Sequence, residues 1–551
     1  MRGCAILHIY YVVTQGLRSE YTALCLCACT FWLAAQLHVP FVRQHNCILT
    51  SQHLRERFME DSALKKSILS GFLWKAVENG GDQIITFVIS LILARILGPS
   101  RYGTMSVMLI FIAIANVIIQ TGFQTALIQK KDVDETDFHS VLWLSLGISA
   151  VLYAVIFGLA PVVAKYFKDP EITPMLRVLS LMLFSGAVTS VLLAHISRQM
   201  DFRTQCIATV IADVIAGAAG IAAAVLGAGT WALVIQQLSK SVILAVILWR
   251  LLSWRAERVF SFEKVKSLFS YGWKVLVSGL IDTIYTNLYT PVISRLYNAE
   301  MVGLYTRANQ FPQVIANSAA MTMQSVLLPT FSKTQDDRES TRVIMKRTLK
   351  VSGYIIFPAM FGIMAVAEPM VRVLLGDEWM GAVALLRLCC LSFSVWHIHI
   401  ANLQAINASG RSDIYLKLEI VKKAIGVLVL VLSVRWGVVA MIFMKALFDY
   451  VCTFINAWPN RKLNGYGPME QWRDMLPEFL TAAAMAVCAW AAGRAMSLAG
   501  LSAATFGTAL LVMIVQIIAG VAVYAGLSAA LKLESFRFLL ETVKGVRRKK
   551  A

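Results

Sequence analysis

The sequence predicts an all-α polytopic membrane protein of about fourteen transmembrane helices, with two six-helix lobes followed by two further helices. Of its 551 residues, 58% are hydrophobic and only 15% are charged, and the mean hydropathy is +0.66. Soluble chains have about 45–50% apolar and about 25% charged residues. The formal net charge of +19 lies in short tracts between apolar runs. That pattern is typical of loops beside anionic lipid and does not indicate nucleic-acid binding.

The first 58 residues differ from the rest of the chain. They hold five of the ten cysteines and four of the eight histidines. The run from Tyr21 to Val42 is apolar enough for a signal peptide or an added helix, but no small-residue cleavage site lies near a compact basic start. At Met59 the chain becomes polar and basic ahead of a long apolar run. We expect Met59 to be the biological start and residues 1–58 to be a spurious or non-core extension; a genuine extra helix is the alternative.

Apolar runs of about 20 residues, long enough to span a bilayer, follow one another from Gly71 with only short connections. The predicted spans are 72–97, 104–127, 141–164, 175–196, 206–226, 230–252, 272–296, 311–332, 351–375, 382–407, 414–434, 436–458, 477–499 and 503–531. The cysteines have no metal-ligand spacing and no G-x-x-x-x-G-K-[ST] motif occurs. We therefore predict no metal site and no ATP-driven step.

The distribution of lysine and arginine predicts the orientation of the spans, because cytoplasmic loops carry an excess of these residues. Every second loop is basic, and all of these loops fall on the side of Lys65 and Lys66. The alternate connections hold only Arg101, Lys165, Lys168, Arg307, Arg435 and Arg494. We therefore expect both ends of the 59–551 chain to be cytoplasmic, in the inner membrane of a bacterium.

An internal repeat relates the first span to the seventh. Aligned without a gap at an offset of 200, "DQIITFVISLILARILGPSRYG" from Asp82 matches "DTIYTNLYTPVISRLYNAEMVG" from Asp282 at five positions, including Arg95 with Arg295 and Gly103 with Gly303. Because six spans separate the copies, both cross the bilayer in the same direction. A parallel repeat of this kind is typical of secondary transporters that rock two lobes around a central site. The predicted domains are 59–270, 271–476, a helix pair 477–531 and a basic tail 532–551.

Three stretches resemble the polysaccharide transporter family of the multidrug/oligosaccharidyl-lipid/polysaccharide exporter superfamily. They are Arg95–Pro99 with Tyr102-Gly103, "GLYTRANQFP" from Gly303 to Pro312, and "LLGDEWMGAVALLRL" from Leu374 to Leu388. The sequences of these stretches are most similar to those of colanic-acid-type exporters. The resemblance extends over about residues 60 to 531. Gly98, Pro99, Gly103 and Gly303 belong to these stretches and are candidates for structural or interlobe roles.

The resemblance implies a function. Members of this family are bacterial flippases that carry an undecaprenyl-pyrophosphate-linked oligosaccharide across the cytoplasmic membrane by alternating access, for exopolysaccharide, capsule or O-antigen export. It implies no cofactor, although a proton or sodium ion is a candidate coupling ion. Membrane lipid and the polysaccharide polymerase or export machinery are the implied partners.

Charged residues inside the spans are the candidate site, since such charges are costly unless they face water or a partner. They are Lys75, Glu78, Asp82, Lys240, Asp282, Lys445 and Asp449, with Asp213 also mid-span. For Asp82, Asp282 and Lys240 we favour a water-filled cavity, and either aspartate could bind the coupling ion.

Other interpretations stay open for several of these charges. Lys75 lies near a span end, where snorkelling to headgroups would explain it. Lys445 and Asp449 are spaced i, i+4 and would form a closed intrahelical pair. Arg95 and Arg295 lie near the opposite span ends, which favours snorkelling or an interlobe role over contact with a substrate.

Two other functions compete with flipping. A cation-coupled multidrug or metabolite antiporter of the same superfamily would need a cavity dominated by acids and aromatic residues, whereas intramembrane Lys and Arg here match the acids in number. A membrane glycan polymerase or ligase would need a sizeable outward loop, and the outward connections are short. We therefore predict a transporter and no catalytic residues.

Overall fold

The computed structural model of the protein describes the backbone of residues 42–130, 132–334, 337–501 and 503–541. Within these ranges it describes the side chain of Trp74 and those from residue 80 onward, except at 121, 122, 270 and 271. The chain divides into two units, Met1–Leu73 and Trp74–Ala551, and the features below belong to the second. Residues 1–41, most of the predicted extension, lie outside the described part.

Helices joined by short connections make up the described chain. They are α1 (Val42–Asn116), α2 (Gly122–Gln129), α3 (Glu135–Phe167), α4 (Ile172–Leu179), α5 (Met182–Gln199), α6 (Phe202–Val225), α7 (Trp231–Leu251), α8 (Phe262–Asn287), α9 (Tyr289–Leu296), α10 (Ala299–Lys333), α11 (Arg338–Leu374), α12 (Ala382–Ser394), α13 (Trp396–Ala408), α14 (Ser412–Ser433), α15 (Val438–Leu463), α16 (Pro468–Leu498) and α17 (Phe506–Ala530). A π-helical turn, Val117–Thr121, joins α1 to α2.

The helices confirm the predicted all-α polytopic fold, and each predicted span overlaps one of them. Ten helical segments of the described residues are long and apolar enough to cross a membrane. One of these, Gly80–Gln129, includes the second predicted span, 104–127, and most of the first, 72–97. The long helices α8, α10 and α14 do not meet this measure, because polar and charged side chains interrupt their apolar runs. The count of fourteen therefore stays a prediction.

Each lobe has its own apolar core. Met108 and Leu176 are fully buried in the first lobe, and Met360 and Ile442 are fully buried in the second. The first helix also contributes to the second core, because Ala94 is buried there. The lobes are therefore interlocked through α1.

The connection between the lobes is fastened to the first lobe. The indole of Trp254 donates to the carboxylate of Glu135 at 2.6 Å, and the backbone amide of Ser261 donates to the hydroxyl of Ser140 at 2.9 Å. The first part of α8 then packs against α2 and α3 of the first lobe, whereas α9 is buried in the core of the second. The predicted boundary at 270/271 falls within α8.

Candidate functional site

The helix α1 changes direction at Gly98, in the stretch "ARILGPSRYG". Gly98 has φ 73° and ψ 173°, a backbone conformation that strongly favours glycine. Pro99 follows, and its missing N–H suits a position where the helical hydrogen bonds are interrupted. We call the end of the lobes where Gly98, Gly103 and Gly303 lie the glycine end.

Two glycines of the repeat bring the lobes into backbone contact at the glycine end. A Cβ atom on Gly103 would lie 1.7 Å from the carbonyl oxygen of Ala299, and one on Gly303 would lie 1.9 Å from that of Pro99. Either distance is far below van der Waals contact, so only glycine fits. The two contacts are equivalent under the offset of 200, as the predicted pseudo-two-fold repeat requires.

Equivalent residues also meet one another beside these glycines. The hydroxyl of Ser106 donates to the hydroxyl of Thr306 at 3.3 Å, and the two residues are 200 positions apart. A residue can touch its own repeat partner only near the symmetry axis. The axis therefore passes between α1 and α10 at this point.

Arg95 and Arg295 both reach across to the opposite lobe. Arg95 donates to the carbonyl oxygen of Val373 at 3.3 Å, and its guanidinium lies 5.5 Å from the ring of Phe506. Arg295 lies 5.0 Å from the ring of Tyr166 in the first lobe. Both arginines therefore contact residues outside their own lobe, and their functional role stays a prediction.

Arg307 is not a loop residue, so its predicted place in an exposed connection was wrong. It lies within α10, is only 4% exposed, and donates to the hydroxyl and carbonyl oxygens of Ser90 at 3.0 and 3.2 Å. Its guanidinium also lies 4.0 Å from the ring of Tyr102. The helix starts earlier than the hydropathy pattern indicates, because Asn298 caps it by accepting from the amide of Met301. Arg307 therefore joins the two lobes just inside the glycine end.

A polar cavity of about 1080 Å³ opens at the glycine end. It is lined by connecting segments from both lobes, and its charged residues are Arg101, Asp169, Glu171, Glu300 and Glu378. Four carboxylates against one guanidinium give the cavity an acidic character. Such a cavity is unfavourable for an anion.

In the first lobe, three helices place two carboxylates around one ammonium group. The Nζ atom of Lys240 on α7 lies 2.9 Å from Asp82 on α1 and 2.5 Å from Asp213 on α6, and it also contacts the Thr86 hydroxyl at 3.4 Å. Asp213 is 2% exposed, and its second oxygen is buried with no hydrogen-bond partner among the described residues. We call Asp82, Asp213 and Lys240 the first-lobe triad, and it has one more acid than base.

In the second lobe, Asp282 pairs with a lysine that we did not predict. The Nζ atom of Lys423 on α14 lies 3.1 Å from the Asp282 carboxylate on α8, and the adjacent Lys422 lies 2.5 Å from Glu419. The signal was present in the sequence: Glu419, Lys422, Lys423 and Gly426 are spaced i, i+3, i+4 and i+7, which places them on one helical face. The strongly apolar remainder of the span concealed that face.

Lys445 and Asp449 form a pair within α15. Their side chains are 2.9 Å apart, and Ser392 on α12 hydrogen-bonds to both. This geometry agrees with the closed-pair interpretation. The side chains of Lys75 and Glu78 lie outside those that the structure describes.

Charged residues packed between long apolar helices, in two lobes that meet at one end, define a multi-pass membrane protein of the two-lobed transporter class. The chain belongs to the family described as "Polysaccharide biosynthesis protein", whose model matches residues 92–384. The recognition made from the sequence motifs is thereby confirmed.

Two curated relatives share substantial parts of the chain. The "Succinoglycan biosynthesis transport protein ExoT" of Rhizobium meliloti (strain 1021) is 28% identical over 327 residues, 59% of this chain and 66% of that protein. The "Lipopolysaccharide biosynthesis protein WzxC" of Escherichia coli (strain K12) is 25% identical over 366 residues, 65% of this chain and 74% of that protein. The chain thus spans about two thirds to three quarters of their lengths.

A solved structure has the same fold. "Lipid II flippase MurJ, inward closed conformation" superposes with a TM-score of 0.69 over 85% of this chain and 100% of that chain, at 14% sequence identity. At this identity the likeness concerns the fold alone, and it supports the all-helical, polytopic architecture.

Proposed function

We propose that this protein flips a lipid-linked oligosaccharide from the cytoplasmic to the periplasmic leaflet of a bacterial inner membrane. The carrier that the sequence motifs imply is undecaprenyl pyrophosphate. The observation that carries the proposal is the symmetric contact of the two lobes at Gly103 and Gly303, where the backbones meet, together with the charged residues packed between the helices of each lobe. Such a contact can separate as a unit, which alternating access requires. Membership of a polysaccharide biosynthesis family favours a glycan cargo over a drug or a metabolite.

The distribution of charge supports a direction of movement. By the positive-inside rule we place the basic loops, and with them both ends of the 59–551 chain, in the cytoplasm. The glycine end is then periplasmic, and its acidic cavity would disfavour the return of an anionic headgroup. Lysines deeper in the spans are the groups suited to bind a phosphate.

The first-lobe triad is our candidate for ion coupling. Its two carboxylates share the ammonium of Lys240, and Asp213 is buried, so this group is suited to take up a proton or a sodium ion. Asp282 is less suited to bind the coupling ion, because the single ammonium of Lys423 already neutralises its single negative charge. The polymerase or export machinery of the same polysaccharide would receive the product.

The test is the leaflet location of the lipid-linked oligosaccharide in cells that lack this protein. We expect accumulation in the cytoplasmic leaflet, relieved by the full chain and by the 59–551 form. Asp82→Ala and Asp282→Ala should not relieve it, whereas the loop variant Asp413→Ala is the matched control and should. Repeating the assay in vesicles with an imposed proton or sodium gradient identifies the coupling ion.

Normal delivery to the outer leaflet without the protein, with unpolymerised units building up there, would contradict flipping. That outcome would favour the polymerase or ligase alternative.

A further inference from the structure

We propose that Lys423, assisted by Lys422, binds the pyrophosphate of the cargo, and that Asp282 is the internal counter-ion that the pyrophosphate displaces. This inference rests on the proposed function and adds to it the site on the second lobe that holds the anionic headgroup.

The helix α14 presents its charges on one stripe and its aliphatic residues on another. Glu419, Lys422 and Lys423 share the first stripe with Gly426. The second stripe consists of Leu416, Ile420, Val427 and Val431, all of which are exposed. Exposed aliphatic side chains suit lipid, so the charged stripe is the one turned towards the protein.

Two side chains of helix α8, Tyr285 and Asp282, reach the charged stripe. A Cβ atom on Gly426 would lie 2.0 Å from the hydroxyl oxygen of Tyr285, so the tyrosine packs on the backbone of α14. The Lys423 ammonium lies 5.8 Å from the Tyr285 ring and 3.1 Å from the Asp282 carboxylate. The lysine is therefore held between the two helices.

Asp282 shows that this pair borders water. Its side chain is 63% exposed although it lies near the middle of a predicted span. A charged carboxylate at that depth is retained where it faces a water-filled cavity, because contact with hydrocarbon is costly. A polar ligand in the cavity can therefore reach the pair.

Of the lysines Lys240, Lys423 and Lys445, Lys423 is the one held most weakly by its described partners. Lys240 is enclosed by two carboxylates, and Lys445 is bound by Asp449 and Ser392. Lys423 has one acidic partner among its described ion pairs, and that partner is mostly exposed. Exposed ion pairs contribute little, so a pyrophosphate with more charge can displace the aspartate. Lys422 lies next in the chain and pairs with Glu419 at 2.5 Å, so its ammonium would have to exchange that carboxylate for the second phosphate.

The exchange is reversible. When the headgroup leaves, the Asp282 carboxylate pairs with Lys423 again, so the empty site does not leave an unpaired ammonium in the membrane. A site of this kind binds the anion and also releases it.

The experiment measures binding of farnesyl pyrophosphate to the purified full chain in nanodiscs of zwitterionic lipid. Farnesyl monophosphate, farnesol and inorganic pyrophosphate are the comparison probes, which separate recognition of the lipid-borne headgroup from recognition of free pyrophosphate. We expect Lys423→Gln to weaken binding about tenfold or more, as for the loss of a charge-assisted bond. We expect Lys423→Arg to retain most of the affinity. Asp282→Asn should tighten binding, because it removes the competing carboxylate.

Lys417→Gln is the matched control. It makes the same chemical change on the same helix, at a position off the charged stripe, and should leave the affinity unchanged. The charge swap Asp282→Lys with Lys423→Asp tests the structural explanation, because it re-forms the ion pair with its ends exchanged.

Unchanged affinity in Lys423→Gln would overturn the inference. The inference would also be overturned if Asp282→Asn weakened binding and the charge swap restored the affinity. That result would mean that the ion pair between Asp282 and Lys423 is purely structural. If Lys423→Gln does not fold, the direction of the Asp282→Asn effect gives the answer. If the wild-type chain fails the leaflet assay, the proposed function falls; if it passes while Lys423→Gln binds normally, only this inference falls.

Discussion

The two lobes share a frame and differ in the charges built on it. Asp82 and Asp282 occupy equivalent positions of the repeat, and the sixth span of each lobe carries a lysine, Lys240 or Lys445. The fifth spans differ: α6 carries Asp213, whereas α14 carries Glu419, Lys422 and Lys423. The same aspartate therefore belongs to an acid-rich group in one lobe and, in the other, to a group of two acids and two lysines.

This difference gives the halves complementary abilities. A group with an excess carboxylate can accept a cation, and a group with accessible ammonium can accept an anion. The contact at the glycine end, by contrast, is the same from both sides. The two copies of the repeat share the glycine contact and differ in the charged residues between their helices. Such a difference suits a carrier that binds a cation in one lobe and an anion in the other.

The largest expected effect comes from breaking the first-lobe triad. Lys240→Gln removes the ammonium that lies between the carboxylates of Asp82 and Asp213, and Asp213 is buried. Removing one partner of a buried ionic group costs about 3–5 kcal/mol of unfolding free energy. Denaturant unfolding in bicelles measures it. Lys423→Gln is the contrast and should cost less than about 1 kcal/mol, because its partner is exposed.

A second variant checks the cause of that loss. Lys240→Gln combined with Asp213→Asn removes the buried charge along with its partner and should recover most of the stability. If Lys240→Gln and Lys423→Gln lowered the free energy of unfolding equally, the proposed difference between a buried ionic group in the first lobe and an exposed ion pair in the second would be wrong.

Because the contact at the glycine end is the same in both lobes, we expect substitution of either glycine to have the same effect. Gly103→Ala and Gly303→Ala each place a methyl group against a backbone carbonyl, at 1.7 and 1.9 Å. Overpacking costs about 1–3 kcal/mol, so the closed glycine end should be destabilised and flipping slowed about tenfold. The rate of leaflet transfer in reconstituted vesicles measures this.

Gly158→Ala is the control, because nothing lies within 4 Å of the added Cβ atom. Its helix position favours alanine, so stability should hold or rise. Loss of transport in only one of Gly103→Ala and Gly303→Ala would show that the glycine end is not a symmetric contact.

Some of this architecture follows from sequence and some does not. Hydropathy locates the spans, and an offset of 200 identifies both glycines before their contact is seen. Hydropathy failed at Arg307, because a helix cap at Asn298 extends α10 through a polar stretch and a neighbouring lobe buries the arginine. It also missed Lys422 and Lys423, because Glu419 on the same helix pairs with the first and Asp282 on α8 pairs with the second, which makes both charges acceptable in an apolar span.

The smallest effect concerns the ion pair that fastens the start of α8 to the first lobe. Lys264 lies 2.7 Å from Asp134, and its ammonium, together with the amide of Asp137, lowers the pKa of the Asp134 carboxyl. A lowered pKa in the folded state means that the stabilisation is complete above the unfolded value of about 3.9 and is lost as the pH falls through the folded value. Asp134→Asn keeps the helix cap and removes the charge, so it should cost about 0.2–1 kcal/mol at pH 7. Unfolding measured from pH 7 into the acid range should show a constant difference between wild type and variant above about pH 4 and a shrinking one as the pH falls through the lowered folded value. A difference that does not shrink would assign the effect to the cap and not to the ion pair.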